Sequence, residues 1–113
     1  MKREFVYFTE FDECWKRLGL DDERLRKLEF YLSNNPKSGD IIKGTGGVRK
    51  LRWNLEGKGK RGGIRTIYID FAGYEKIYLI TAYLKSDKDN LNQNEKENIK
   101  EMIKLLTYEL KRK

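Results

Sequence analysis

The chain has no histidine, one cysteine and one proline in 113 residues. Without histidine, the commonest general base and the commonest metal ligand are both missing. Any catalysis has to run on Lys, Arg, Tyr, Asp or Glu. With Cys14 alone, neither an intrachain disulfide nor a metal site built on several thiolates can form, and a reducing, cytoplasmic setting is expected. Long apolar runs are scarce. The longest, Ile77–Leu84, is interrupted by tyrosine and threonine and is far too short to span a bilayer, so no membrane partner is expected. The first residues are basic but lead into no long apolar stretch, so no signal peptide is read there. A single domain over 1–113 is expected. A chain of that length buries roughly 65% of its unfolded surface, which supports a core without metals or disulfides.

What the chain has in excess is positive charge, and it is concentrated. The formal net charge is +7. Residues 36–70 hold nine Lys or Arg against three Asp or Glu, so most of the excess lies in one third of the chain. Much of it sits on glycine-rich backbone that can approach a ligand closely. Two strand-like runs, Val48–Leu55 and Ile64–Phe71, flank the loop Gly57-Lys-Gly-Lys-Arg-Gly62. Such a concentration suits a phosphate-rich partner.

Periodicity gives the order β-α-α-β-β-β-β-α, an α+β domain with a mainly antiparallel sheet. Phe5–Phe8 reads as an opening strand. Thr9 is expected to cap a helix starting at Glu10, whose buried face carries Phe11, Trp15 and Leu18, and Gly19 stops it. Asp21 caps a second helix with the stripe Leu25, Leu28 and Leu32. That helix ends at Ser33-Asn34-Asn35-Pro36, where asparagine suits a left-handed cap. Asp40–Lys43 reads as a short strand or arm, and Ile64–Phe71 with Lys76–Leu84 as an antiparallel hairpin. Asn92 with Glu95 opens a C-terminal helix whose apolar stripe is Ile99, Met102, Ile103, Leu106 and Leu110. Core packing is the simplest account of the leucine and aromatic positions on the two N-terminal helices.

Two familiar motifs fail on context. Gly57–Gly62 matches the dinucleotide pattern G-x-G-x-x-G, but a strand follows it where a helix is required. No Walker A sequence is present. The carboxylates are spread over helix surfaces at i, i+4 spacing from lysine, as on solvated faces. Asp87 and Asp89 are expected near the basic face, but the sequence offers no partner ligands for a metal there. Neither a metal nor a cofactor is called for.

If the sheet pairs as drawn, Lys50, Arg52, Lys58, Lys60, Arg61, Arg65 and Lys85 converge. The plainest reading is a sequence-neutral phosphate clamp; a docking patch for an acidic protein is another. A sharper reading adds Tyr83. A phenol among cations is expected to titrate low, and the same field leaves part of a neighbouring lysine neutral. Either group then suits removal of a proton from a ribose 2′-hydroxyl, while arginine holds the charge that builds on phosphate. RNA carries that hydroxyl and DNA does not. A nuclease without metal or histidine is therefore chemically reasonable only on RNA.

Gly39-Asp-Ile-Ile-Lys-Gly-Thr-Gly-Gly-Val-Arg-Lys-Leu-Arg, followed by Gly57-Lys-Gly-Lys-Arg-Gly-Gly-Ile-Arg-Thr-Ile-Tyr, closely resembles the HigB branch of the RelE/ParE toxin superfamily. The resemblance extends to Asn35-Pro36 and Leu79–Tyr83. It implies a RelE-like fold, with two N-terminal helices, a small sheet and a C-terminal helix. It also implies the toxin of a type II toxin–antitoxin pair that cuts messenger RNA in the ribosomal A site by 2′-hydroxyl attack. The implied partners are the ribosome with its mRNA and a cognate helix-turn-helix antitoxin, through which alone operator DNA is reached. Carried over by position, Arg65 is the transition-state stabiliser. Lys50 and Arg52 grip RNA, Tyr83 and Lys85 are the end-of-strand acid–base candidates, and Lys58, Lys60 and Arg61 form the basic loop. Lys58 is counted with the catalytic candidates, and Lys60 and Arg61 with the RNA-binding ones. Some relatives place a catalytic tyrosine early in the last helix, whereas Tyr108 lies near its end and receives no role. Two alternatives stand beside this reading: a gyrase-poisoning toxin of the ParE branch and a non-catalytic RNA-binding module.

Overall fold

A computed structural model describes residues 2–55, 63–88 and 90–112. Among them, the elements run β1 (Glu4–Tyr7), α1 (Thr9–Arg17), α2 (Asp22–Asn34), β2 (Asp40–Ile41), β3 (Arg49–Trp53), β4 (Ile64–Phe71), β5 (Lys76–Leu84) and α3 (Gln93–Arg112). The strands form one sheet in the order β1-β5-β4-β3-β2. The pairings from β2 to β5 are antiparallel, and β1 adds to β5 in parallel. The expected α+β architecture and element order are therefore observed.

The sheet is covered on both faces, so its strands alternate between two cores. On one face Phe11 and Trp15 of α1 and Leu28 and Leu32 of α2 pack on Leu51, Ile64, Tyr68, Ile77 and Leu79. On the other, Ile99, Ile103 and Leu110 of α3 pack on Val48, Ile67, Ile69, Tyr78 and Ile80. Each buried aliphatic or aromatic side chain contributes about 1.5–3 kcal/mol, enough to hold a chain of this size without cross-links. At its far end the sheet is tied by the Arg3 guanidinium, which donates two hydrogen bonds to the Asp70 carboxylate at 2.7 and 3.3 Å.

Local signals account for most of the boundaries. Gly19, at φ 74°, adopts the left-handed conformation that ends the first helix. The Asp21 carboxylate accepts from the Arg24 N–H at 2.9 Å and caps α2. At α3, Asn92 Oδ1 accepts from the Glu95 N–H at 2.8 Å and Glu95 Oε1 from the Asn92 N–H at 2.9 Å, a complete capping box.

Several expectations need correction. Thr9 does not cap α1. The helix already includes it, Phe8 occupies the cap position, and no side chain bonds the free N–H groups there. Asn35 is not left-handed, its φ being −139°. Instead Asn34 and Asn35 donate from their side-chain amides to the carbonyls of Phe30 and Tyr31, closing the last turn of α2. The arm expected over Asp40–Lys43 pairs as a strand only at Asp40–Ile41, with one further bond from the Ile42 N–H to the Val48 carbonyl at 2.8 Å, before Thr45 folds the chain back. Its hydroxyl donates to the Ile42 carbonyl at 2.6 Å and accepts from the Val48 N–H at 3.2 Å. β3 is correspondingly Arg49–Trp53, shorter than Val48–Leu55, and the first strand is Glu4–Tyr7, displaced by one residue from Phe5–Phe8. Met102, placed on the buried stripe of the last helix, is 41% exposed.

Candidate functional site

Tyr68 holds the entry to the basic segment. It is fully buried. Its hydroxyl donates to the Pro36 carbonyl at 2.9 Å and accepts from the Gly39 N–H at 3.0 Å. Burial pushes the phenol above its usual value, against the hydrogen bonds from Gly39 and Ser38, so the group stays a donor. A side chain at position 39 would not fit, since a Cβ there would lie 2.9 Å from the Tyr68 ring and 3.0 Å from the Lys50 carbonyl. Arg49 completes the clamp by donating to the carbonyls of Lys37 and Gly39 at 3.1 and 2.7 Å. These contacts fix the chain that leads into β3, and with it the direction of Lys50 and Arg52.

Alternation along β3 sends Leu51 to the core under α1 and α2, so Lys50 and Arg52 take the face that carries α3. On β4, Ile67 and Ile69 pack under α3, and Arg65 shares their parity. Cross-strand register sets Arg52 directly opposite Arg65, and Arg65 directly opposite Tyr83. The result is a transverse row, Arg52–Arg65–Tyr83, across three strands. Arg65 is only 3% exposed, while Arg52 is exposed and Tyr83 half-buried.

A bulge makes this row possible. Ile67 pairs with Thr81 but Tyr68 with Leu79, which leaves Ile80 as an extra residue in β5. Strict alternation from Ile77 and Leu79 would send Tyr83 to the opposite face. The bulge reverses the parity, so that Ala82 joins the core under α1 and α2 and Tyr83 packs with the core under α3.

The segment between β5 and α3 reaches both sides of the row. The Lys88 ammonium lies 5.0 Å from the centroid of the Tyr83 ring. It also donates to Glu95 Oε2, while the other Glu95 oxygen belongs to the capping box. Burial opposes ionisation of Glu95, but the hydrogen bonds from Lys88 and the Asn92 N–H, with the charge of Lys88, outweigh it and hold the carboxyl below its usual value. On the other side, Lys50 donates to Asn90 Oδ1 at 2.7 Å.

Of the residues singled out from sequence, Arg52, Arg65 and Tyr83 therefore stand together, and Lys50 lies two residues along β3 on the same face. Lys85 falls in the turn after β5, not on the strand, with its N–H directed at the Gly63 carbonyl at 3.4 Å. Lys58, Lys60 and Arg61 lie outside the described residues. Sequence reasoning missed Lys88 and Asn90. Glu95 reads from sequence only as a cap, and nothing local in the sequence links it to Tyr83.

Chemically, the row combines fixed positive charge with a phenol. Two arginines directly opposite on neighbouring strands cost stability, because like charges at that position repel. An anion between them would offset that repulsion. No helix among the described residues is long and apolar enough to cross a membrane.

Comparison with known proteins agrees with this architecture. The free-state structure of the E. coli toxin RelE, in a form with two arginines replaced by alanine, superposes with a TM-score of 0.56 at 15% identity. It covers 79% of this chain and 90% of that one, and the likeness is one of fold. The family model described as the RelE toxin of the RelE / RelB toxin-antitoxin system matches residues 8–113. The chain thus belongs to the RelE toxin family, the toxins of toxin–antitoxin systems, whose members are countered by an antitoxin partner.

Proposed function

We propose that the protein is an mRNA endonuclease of the HigB type that acts in the ribosomal A site without a metal. The observation that carries this reading is the Arg52–Arg65–Tyr83 row, with Lys50 beside it. Arg52 and Lys50 hold the RNA phosphates. Tyr83, or a lysine such as Lys85 or Lys58, takes the proton from a ribose 2′-hydroxyl. The 2′ oxygen attacks the adjacent phosphorus, the bond to the 5′ oxygen breaks, and that oxygen leaves as a hydroxyl after receiving a proton. Arg65 is buried and cannot usefully lose its own proton. It faces the charge that builds on the phosphoryl oxygens, where fixed charge in a low-dielectric site is most effective. Lys60 and Arg61 add phosphate contacts. Ribosome dependence is what the family resemblance implies, and it agrees with the chemistry: a basic face holds RNA but does not by itself place a hydroxyl in line with its phosphate.

End-group analysis on mRNA cut in programmed ribosomes tests the chemistry. A 2′,3′-cyclic phosphate on the upstream product and a free 5′-hydroxyl on the downstream one are expected, with cleavage retained in excess EDTA on ribosomes stabilised by polyamine. A 5′-phosphate product would overturn the mechanism. Intact mRNA accompanied by gyrase-linked DNA breaks would transfer the protein to the gyrase-poisoning class.

A further inference from the structure

Tyr83 is surrounded by groups from several elements. Arg65 faces it from β4, Lys88 lies over its ring, and Glu95 approaches from the start of α3. Glu10, Glu13, Cys14 and Arg17 of α1, with Asp87 of the turn, line a cleft of about 480 Å³ on its outer side. Lys88 places its ammonium over the ring face, at 5.0 Å from the centroid. A cation there is drawn to the ring electrostatically and restricts its orientation. Lys88 is in turn held by Glu95 Oε2, and Glu95 Oε1 accepts the Asn92 N–H. The chain of contacts therefore runs from the first turn of α3 through Glu95 and Lys88 to the phenol.

We propose that Lys88 is a positioning residue for Tyr83: its ammonium, clamped by Glu95 at the start of α3, keeps the phenol ring in the row with Arg65 and supplies positive charge beside it. The proposal rests on the nuclease reading for its catalytic meaning, but the contact itself does not. Glu95 makes the arrangement durable, because one carboxylate both caps the helix and anchors the lysine. An exposed lysine without that anchor would sample many rotamers.

The test uses the full chain with 13C-labelled tyrosine rings, the Tyr83 signal being assigned by its loss in Tyr83→Phe. In Lys88→Met, which keeps the stem and removes the charge, the Tyr83 titration midpoint is expected to rise, and Lys88→Arg is expected to restore it. On programmed ribosomes Lys88→Met is expected to cut single-turnover mRNA roughly 3- to 30-fold more slowly, with its pH–rate profile displaced in the same direction. Far-UV circular dichroism checks that α3 is intact in each variant. An unchanged Tyr83 midpoint in folded Lys88→Met would overturn the proposal. So would a rate loss with no displaced profile, or one that Lys88→Arg does not rescue. Should the wild-type protein fail to cut mRNA at all, the nuclease reading falls, while the ring titration, made without RNA, still decides whether Lys88 acts on Tyr83.

Discussion

Arg65 on β4 lies directly opposite Tyr83 on β5, on a shared face, because one extra residue, Ile80, reverses the parity of β5 between them. On the proposed nuclease reading, this buried guanidinium and half-buried phenol pair a charge stabiliser with a proton acceptor. Tyr83→Phe removes only the hydroxyl and leaves the packing under α3 intact. It is expected to lower single-turnover cleavage by about 10²–10⁴-fold, with an unchanged melting temperature. Arg65→Ala is expected to cost roughly 10²–10³-fold, measured in the same assay and accompanied by a solubility check.

Arg52 opposes Arg65 on the other side. Arg52→Gln removes a like-charge pair, so the free protein is expected to gain roughly 0.2–1 kcal/mol in a denaturant titration. The same variant is expected to bind RNA more weakly. Lys50→Gln combined with Arg52→Gln should make the salt dependence of binding shallower by about 1.4 in log–log slope.

Tyr68 and Gly39 offer a test of the scaffold. Tyr68→Phe strips the hydrogen bonds from the Pro36 carbonyl and the Gly39 N–H, which burial leaves without substitutes. A loss of about 1–3 kcal/mol in unfolding free energy is expected, with faster amide exchange at Gly39. Gly39→Ala is expected to be destabilising as well, since its Cβ meets both the ring and the Lys50 backbone.

Glu95 predicts a pH dependence with a definite sign. Its folded-state titration is lowered from the ordinary 4.5. The stabilisation it gives is therefore fully present above about pH 4.5 and is lost as pH falls through the folded value below that. Acid titration of helicity is expected to show α3 fraying in this lower window. In Glu95→Gln, which keeps an acceptor for the Asn92 N–H, that part of the pH dependence is expected to disappear.

Much of this was legible in the chain. Asp21, the Asn92–Glu95 pair and Gly19 announce their caps locally, and the alternation of Arg65, Ile67 and Ile69 against Ile64, Thr66 and Tyr68 marks both a strand and the facing of Arg65. The Lys50–Arg52 pair was equally readable from its i, i+2 spacing. Thr9 and Asn35 misled because several local bonding patterns suit those residues, and the surrounding packing selects among them. Tyr83 is the instructive position. Its grouping with Arg65 came from family resemblance and an assumed pairing, whereas strict alternation points it the other way. The bulge that turns it is a property of how β4 and β5 register, which a single strand does not reveal. The Lys88–Glu95–Tyr83 chain was hidden for the same reason, as it joins a turn, a helix start and a strand end.

Primer extension on a defined mRNA in a translating extract tests the central claim most directly, comparing wild type with Arg65→Ala. Discrete stops within codons are expected with the wild type, absent without ribosomes and absent with the variant. Intact mRNA with the wild type, or the same stops with Arg65→Ala, would contradict the assignment of this row as a ribosome-dependent nuclease site.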